Sequence, residues 1–465
     1  MDRPGRRPGS PEKSDRLRQP LLARAFVQDG ATQTPRPINE THVLKTMLPV
    51  TLTLALFSID RVCLSVAMLP LAKEFGWSAP RQGLVQSAFL WGYLVMQLPG
   101  GWAADRFGGR RVLMVSTAHF SLSTLLLPLA AASAFARSLG LALPAVVATR
   151  VLLGLSGGPA IPSMLSIATS SVPAPRRAEA IGAGYTGFQL GNLLGLVLTG
   201  WIIQAFGGWR APFFAFAAAG ALVLAAWAAV PESGRPATSC ADEETRPARG
   251  GAGTPTPTHH SVASLLRSRA VRTLLYLNAI NNWGYFLYLS WMPSFFYRTF
   301  GLDLQRSSVL SMLPWALMAL VSAVVGRVAD WLVTSRGQKV LHVRRGMQCV
   351  AFLGPVAAMC LLSALERRLT VPAAAATFIF TLGTTACAQA GFVAAVGDVA
   401  PGAAGTVFGL TNCVGCMAGI ASTTLMGVVI GRVDRFAPVF LLTAALNVLG
   451  VALTLTELRT DLEFP

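Results

Sequence analysis

Long apolar runs separated by short polar breaks dominate the chain from residue 47 to residue 456. Each run is near the ~20 residues that a helix needs to cross a bilayer. None shows the alternation of a barrel strand, and only helices and closed barrels satisfy their backbone hydrogen bonds in lipid. The pattern therefore predicts an all-α membrane protein. The twelve predicted transmembrane helices are 47–70, 83–103, 112–131, 140–165, 178–203, 209–230, 271–296, 305–329, 346–364, 371–396, 403–430 and 437–456.

Composition and charge distribution agree with a chain embedded in a lipid bilayer. Hydrophobic residues make up 53% and charged residues 13% of the sequence, against roughly 25% charged in soluble domains. The net charge of +17 is typical of nucleic-acid binding, but nine of the 38 basic residues lie before Thr46 and six lie between Arg235 and Arg272. Because basic residues gather on the cytoplasmic side of membrane proteins, we expect both termini in the cytosol and no nucleic-acid partner.

Short sequence features recur at a near-constant spacing. Asp105 has a counterpart 225 positions later at Asp330, and Gly191 has one 224 positions later at Gly415. A repeat of six spans in the same direction is typical of the major facilitator architecture, with two pseudo-symmetric six-helix bundles and a substrate site at the midplane between them. The predicted segments are a disordered cytosolic tail (1–46), the N-terminal bundle (47–230), a linker loop (231–270), the C-terminal bundle (271–456) and a short tail (457–465).

A charged, glycine-rich turn lies between the second and third spans, at residues 101–111. A carboxylate at Asp105 can pair with a nearby arginine or cap the N-terminus of a neighbouring helix. We expect such a contact to act as a conformational latch, which stabilises the outward-facing state. A turn that only sets topology is the alternative. The predicted latch residues are Asp105, Arg106, Arg110, Arg111 and, in the second half, Asp330.

Charged residues inside the predicted spans are few, and such residues are expensive in lipid and therefore candidates for function. Arg61 lies in the first span and Arg150 in the fourth. Guanidinium groups match carboxylate and phosphate oxygens in a bidentate way, so the two arginines predict a small anionic substrate. Asp60 and Asp398 are the acidic candidates for a coupling cation. Neighbouring residues on a helix diverge by ~100°, so Asp60 and Arg61 are expected to face different points.

Several polar and aromatic residues are candidates for the lining of the same cavity, although interhelical hydrogen bonds are the commoner use of each one alone. Residues four or seven apart share one helix face, which links pairs on the second and seventh spans. The predicted substrate-binding residues beside the two arginines are Gln86, Tyr93, Asn281, Asn282, Tyr285 and Asn412.

The chain resembles the anion:cation symporter family of the major facilitators, which includes sialin and the vesicular glutamate and nucleotide transporters. The segments that carry the resemblance are Asp60-Arg61-Val-Cys-Leu-Ser-Val-Ala67 and residues 89–111. Asn282-Trp283-Gly284 and Trp291-Met292-Pro293 are most similar to the plastid-type phosphate transporters of that family. The resemblance implies transport of phosphate or a small organic anion, coupled to Na+, H+ or membrane potential. It also implies that Arg61 and Arg150 bind the anion.

The sequence departs from this family at a position associated with proton coupling. Where the family often has a glutamate in the fourth span, this chain has Gly157, which places proton symport in doubt. Gln86 and Asn281 stand where a vesicular glutamate transporter carries histidine and arginine, which argues against that subtype.

Three functional alternatives remain beside phosphate transport. They are transport of an organic anion (a nucleotide, acidic sugar or carboxylate), a non-transporting sensor, and drug efflux, against which the paired arginines argue. No nucleophile motif, phosphate-binding loop or metal-ligand cluster is present in the sequence. We therefore expect no enzyme activity, no cofactor and no metal, and a monomeric carrier in the bilayer. The sequence does not decide whether the carrier lies in a plastid or endolysosomal membrane or in the plasma membrane. The N-terminal tail is either a targeting segment or plain disordered chain.

Overall fold

Long helices account for nearly all of the computed structural model, which describes residues 40–132, 138–172, 177–229, 262–365, 368–400 and 404–461, and no β-strand occurs in these ranges. The helices are α1 (Glu40–Phe75), α2 (Ala79–Phe107), α3 (Gly109–Ala132), α4 (Ala142–Gly157), α5 (Ala160–Ser171), α6 (Arg177–Phe206), α7 (Ala211–Ala229), α8 (Val262–Arg267), α9 (Arg269–Phe300), α10 (Leu304–Thr334), α11 (Val340–Leu365), α12 (Val371–Thr385), α13 (Phe392–Val399), α14 (Ala404–Val433) and α15 (Ala437–Thr456). Residues 1–39 of the predicted tail (1–46) and residues 231–261 of the predicted linker (231–270) lie outside the described residues. Residues 40–46, predicted as part of the disordered tail, are instead the first turns of α1.

Ten helical segments of the described chain are long and apolar enough to cross a membrane. The other two predicted spans coincide with α2, of 29 residues, and α9, of 32 residues. These two helices are long enough to span but carry more polar side chains, including Gln86 on α2 and Asn281 on α9. The prediction of an all-α, multi-pass membrane protein is confirmed. The two helices outside this set of ten, α2 in the first half and α9 in the second, both carry predicted site residues.

Two predicted spans are not single regular helices. The span at 140–165 divides into α4 and α5 at Pro159, whose backbone nitrogen has no hydrogen to donate. The span at 371–396 divides into α12 and α13 through a 3-10 turn, Ala386–Gln389. There the Gln348 side chain on α11 accepts a hydrogen bond of 3.0 Å from the Phe392 nitrogen, and so caps the start of α13. The apolar pattern of the sequence continues across both helix breaks, so it did not predict either of them.

A strip of glycines brings α6 against α1, the helix that carries Asp60 and Arg61. A Cβ atom at Gly191 would lie 2.1 Å from the carbonyl oxygen of Ala55, so only glycine permits this approach. Small residues of this kind are the usual means of close helix packing in membranes. The contact fixes the position of the half of α1 that leads into the charged pair.

Among the contacts of the described residues, helices of the two halves meet where α2 packs on α14 and where α6 packs on α10. We call the end of the molecule with Gly83 the Gly83 side, and the opposite end the Asp105 side. On the Gly83 side the Cβ position of Gly83 is 3.0 Å from the Thr423 carbonyl oxygen, and the Arg298 guanidinium is 3.5 Å from Gln82 Oε1. The two halves are therefore in close contact on the Gly83 side.

An arginine at the start of one helix plays a parallel role in each half. Arg110 on α3 donates a hydrogen bond of 3.0 Å to the Trp227 carbonyl on α7. Arg345 on α11 donates one of 2.8 Å to the Leu458 carbonyl just after α15. The two contacts agree with the internal repeat seen in the sequence, while the division at residues 230 and 271 stays a prediction.

Candidate functional site

A small cavity lies among α1, α2, α4 and α9. It is lined by Arg61, Val62, Leu64, Ser65, Gln86, Phe89, Leu90, Arg150, Phe286, Leu289 and Ser290. Among the described residues its lining contains two arginines and no acidic side chain. The cavity thus brings together three predicted site residues, Arg61, Arg150 and Gln86, from three separate helices.

Arg61 reaches from α1 toward both halves of the chain. Its Nη2 atom donates to Asn192 Oδ1 on α6 at 2.9 Å and to the Tyr285 hydroxyl on α9 at 3.2 Å. The guanidinium carbon lies 4.7 Å from the ring centroid of Phe188, a cation–π contact. Arg61 is 7% exposed, so its charge is held by oriented dipoles and an aromatic face rather than by a paired carboxylate.

Arg150 approaches the same point from α4. Its guanidinium donates to backbone carbonyls of α1, at 3.2 Å to Arg61 and 3.5 Å to Asp60. It is 3% exposed, and its guanidinium carbon is 5.6 Å from the Phe89 ring centroid. Both arginines are therefore anchored to the same turn of α1.

Several donor groups around the cavity have no hydrogen-bond partner in the described chain. They are Nε of Arg61, Nε of Arg150 and Nε2 of Gln86. Buried polar groups are normally satisfied, so a set of unpartnered donors on one cavity needs an explanation. A ligand rich in acceptor oxygens supplies it.

Asp60 lies beside Arg61 in the sequence but does not line the cavity. Its carboxylate is 1% exposed and faces the interior of the first half, close to Thr124 on α3. This placement agrees with the ~100° divergence of adjacent helical residues. The side of α1 that carries Arg61 faces the cavity, and the side that carries Asp60 faces the interior of the first half.

The other predicted lining residues occupy neighbouring positions. Tyr285 contacts Arg61 through its hydroxyl, as given above. Tyr93 is stacked on Phe89, with centroids 5.5 Å apart, and its hydroxyl lies near Gln97 and Asn412. This second polar group is nearer the Asp105 side than the cavity itself. Tyr93 and Asn412 thus stand beside the cavity and not in its lining.

The asparagines of α9 have different surroundings. The Asn282 amide donates to Asn278 Oδ1 at 2.7 Å, and the Asn278 amide donates to the Thr411 carbonyl on α14 at 2.6 Å. Asn282 therefore belongs to an interhelical network. Asn281 has a buried Oδ1 atom without a partner in the described chain, one turn before Tyr285. Neither Asn281 nor Asn282 lines the cavity.

Sequence reasoning missed four polar or aromatic residues of the lining, although helix periodicity predicts them. Ser65 lies four positions after Arg61, and Phe89 lies three after Gln86. Phe286 and Ser290 follow Asn282 at intervals of four on α9. Each shares a helix face with a predicted site residue.

The predicted latch and the second acidic candidate lie away from the cavity. Asp105 is exposed and forms no hydrogen bond or ion pair with another described residue, and Asp330 is also exposed. The Arg106 guanidinium stacks on Trp102 at 5.4 Å, while Arg110 bonds Trp227 and Arg111 is exposed. Asp398 pairs with Arg344 on α11 at 2.9 Å.

The Phe57 ring occupies the space beside Gly157, the position where the family often has a glutamate. A Cβ atom at Gly157 would lie 2.2 Å from Cε2 and Cζ of this ring. Phe57 is fully buried and packs on Phe89, Phe120 and other rings. A side chain at residue 157 therefore requires the Phe57 ring to move.

Comparison with known proteins relates this arrangement to transporters. The sequence pattern of the Major Facilitator Superfamily matches residues 50–423. The chain is 35% identical over 412 residues to the probable anion transporter 3, chloroplastic, of Arabidopsis thaliana, which covers 87% of this chain and 77% of that protein. It is 32% identical over 400 residues to the sodium-dependent phosphate transport protein 1, chloroplastic, of Arabidopsis thaliana, covering 86% and 75%. An ascorbate transporter, chloroplastic, of the same plant is 32% identical over 397 residues, covering 85% and 71%.

Solved structures agree on the fold. A bacterial homolog of the human lysosomal transporter Spinster, in an inward-facing and unoccupied conformation, superimposes with a TM-score of 0.71 at 17% identity, over 89% of this chain and 96% of that one. The D-xylose-proton symporter gives a TM-score of 0.71 at 16% identity, over 90% and 98%. The predicted fold, two six-helix bundles of a membrane carrier, is confirmed, and the chain belongs to the Major Facilitator Superfamily.

Proposed function

We propose that this protein is a secondary active transporter of inorganic phosphate, which it moves by alternating access. One observation carries the proposal: two buried arginines and a buried amide, each with a donor that has no partner among the described residues, line one cavity whose described lining contains no acid. Phosphate has four oxygen atoms close together, and those that carry no proton are strong hydrogen-bond acceptors. It therefore satisfies these donors and compensates two positive charges at once.

The energetic need for an anion is large. An unpaired arginine within a membrane costs at least about 2.5–3.5 kcal/mol on insertion scales. Here two such groups meet, Arg61 on α1 and Arg150 on α4 bonded to the carbonyls of the same turn of α1, and their mutual repulsion adds to the cost. A bound anion relieves both terms, which supports an anion as the substrate.

The relatives support anion transport and leave the choice of anion to experiment. One is named a sodium-dependent phosphate transport protein and another, at the same identity, an ascorbate transporter. An organic anion is therefore the second candidate substrate. The Phe89 and Phe286 rings in the lining favour it, because they offer apolar faces to a carbon skeleton.

The contacts between the halves support a rocking mechanism. They close the Gly83 side, where α2 meets α14 and α6 meets α10. Asp105, on the opposite side, is exposed and unpaired among the described residues. We infer that this conformation opens toward the Asp105 side, and that Asp105 finds its partner only when that side closes. With both termini cytosolic, this state faces the cytosol.

Phosphate uptake into proteoliposomes tests the function directly. Purified protein is reconstituted, and uptake of labelled phosphate is measured in competition with ascorbate, glutamate and a nucleotide. We expect saturable uptake that phosphate inhibits best. Arg150→Lys keeps the charge but loses the fork of donors, and one charge-assisted hydrogen bond is worth about 1.5–3 kcal/mol, or roughly 10- to 150-fold in apparent affinity.

An exposed arginine provides the matched control. Arg306 forms a surface pair with Asp303 at 3.3 Å, and such pairs contribute little. Arg306→Lys should therefore transport as the unmodified protein does. Stronger inhibition of labelled-phosphate uptake by ascorbate than by unlabelled phosphate would replace phosphate with an organic anion. Unchanged affinity in Arg150→Lys would remove Arg150 from the substrate site.

A further inference from the structure

Asn192 on α6 is a fully buried amide that contacts Arg61 but does not line the cavity. Its Oδ1 atom accepts the 2.9 Å hydrogen bond from Arg61 Nη2. Its Nδ2 atom donates to Gln189 Oε1 at 3.1 Å and to the Tyr285 hydroxyl at 3.4 Å. A guanidinium group only donates hydrogen bonds, so the oxygen of the amide faces Arg61 and the nitrogen faces away from it.

Close packing of α6 on α1 fixes the place of this amide. Gly191, directly before Asn192, lies where a Cβ atom would be 2.1 Å from the Ala55 carbonyl oxygen. One turn after Gly191, a Cβ atom at Gly195 would be 3.0 Å from Cα of Ile59. The two helices are therefore in backbone contact on both sides of Asn192. A short side chain on such a backbone is a rigid support for the longer side chain of Arg61.

An arginine elsewhere in the chain shows the usual alternative. Arg344 donates to the carboxylate of Asp398 at 2.9 Å, the same distance as that between Arg61 and Asn192. Arg344 is the more exposed of the two arginines, yet it has the charged partner. Buried charges are normally paired with an opposite charge, and none of the described carboxylates forms an ion pair with Arg61. The partner of Arg61 is thus the opposite of what stability alone favours.

The charge of the partner decides whether Arg61 can attract an anion. A carboxylate at residue 192 would have nearly the same shape as the amide and would accept the same hydrogen bond. It would also cancel the positive charge of Arg61, and an incoming anion would have to compete with it. An amide oxygen orients the guanidinium group and leaves its charge uncompensated. Sites of function commonly sacrifice stability in this way.

We propose that Asn192 is the positioning residue of the anion site, which holds Arg61 in place through a neutral acceptor and so reserves its charge for the substrate. This inference rests on the proposed function, since it concerns the same carrier and the same anion. Asn192 acts on the anion only through Arg61. The requirement at residue 192 is therefore a hydrogen-bond acceptor without charge.

Asn192→Asp tests this requirement, because it changes the charge and almost nothing else. Phosphate–phosphate exchange in proteoliposomes gives the KM for phosphate and the maximal rate. We expect the KM to rise roughly 10- to 150-fold, the value of one charge-assisted interaction, with exchange retained at saturating phosphate. Without phosphate, the variant should unfold in denaturing detergent no earlier than the unmodified protein, since Arg61 gains a charged partner. If Asn192 served only as a structural acceptor, the KM would stay unchanged, because aspartate also accepts the bond.

Asn192→Leu separates the charge from the geometry. Leucine removes the acceptor at nearly constant volume, while Arg61 keeps its 3.2 Å bond to Tyr285. The KM should therefore rise less than in Asn192→Asp. Asn447→Leu is the matched control. Asn447 is 4% exposed on α15 and donates to the Thr443 carbonyl on its own helix at 2.7 Å, so its replacement should leave the KM unchanged.

Gln189→Glu provides a second way to bring a negative charge toward Arg61. Gln189 is less buried than Asn192, so a carboxylate there is easier to accommodate in a folded protein. The KM should rise in the same direction. If Asn192→Asp does not fold, this variant decides the question.

The outcomes separate this inference from the proposed function. No saturable phosphate exchange in the unmodified protein would overturn the proposed function, and the inference with it. If the unmodified protein exchanges phosphate, an unchanged KM in Asn192→Asp, or in Gln189→Glu where the former does not fold, overturns the inference alone. An equal rise in Asn192→Asp and Asn192→Leu would do the same, because the effect would then come from the position of Arg61 and not from its charge.

Discussion

Replacement of Gly157 by alanine is the sharpest test of the packing around the substrate site. The added Cβ would lie 2.2 Å from two atoms of the Phe57 ring, well inside any permitted contact. The ring has little freedom to move, because it packs on Phe89, Phe120, Phe188 and other aromatic rings at centroid separations near 6 Å. Overpacking of this kind costs about 1–3 kcal/mol, which lowers the folded-to-unfolded ratio roughly 5- to 150-fold.

The cost should disappear when the ring is shortened. Phe57→Leu removes Cε2 and Cζ, the two atoms in the clash, so Gly157→Ala should be far less harmful in that background. We expect a favourable coupling energy of about 1–3 kcal/mol between the two substitutions. Unfolding of the four proteins in mixed micelles, followed by tryptophan fluorescence against denaturing detergent, measures this coupling.

A second glycine provides the control. A Cβ at Gly182 on α6 would meet nothing within 4 Å, and alanine is favoured over glycine in a helix by roughly 0.5–1 kcal/mol. Gly182→Ala should therefore be neutral or stabilising. If Gly157→Ala were equally harmless, or if Phe57→Leu did not relieve its effect, Phe57 would not occupy this space.

Three further substitutions test the helix contacts and the charged groups away from the cavity. Asp105→Asn should leave detergent stability unchanged and slow phosphate exchange, because Asp105 is unpaired among the described residues here and acts only in the opposite state; exchange at the original rate would refute the latch. Gly191→Val should prevent correct packing on Ala55, where even a Cβ would lie 2.1 Å from the carbonyl oxygen, and a monodisperse, active variant would contradict the contact. Asp398→Asn should lower stability through loss of its 2.9 Å pair with Arg344 and leave the rate of phosphate exchange unchanged; loss of exchange in a stably folded variant would restore Asp398 as a transport residue.

The sequence alone determined the class of protein and the kind of substrate. Apolar runs near twenty residues long permit only membrane helices, because lipid satisfies no backbone hydrogen bonds. The repeat near 225 positions indicated two similar halves. Arg61 and Arg150 were identifiable because a charge in such a run is costly and so indicates function. Periodicity also predicted that Asp60 and Arg61 face different directions, as they do.

Only the tertiary structure decided which of the polar residues meet. It placed Asn282 in a contact with α14 and Asp398 in an ion pair with Arg344, whereas the sequence allowed both at the transport sites. It also brought Phe57 against Gly157, residues 100 positions apart. Helical periodicity defines which residues share a face, but not which helix that face meets. The neighbours of each face depend on close approaches such as that of Gly191 to Ala55, which no local pattern encodes.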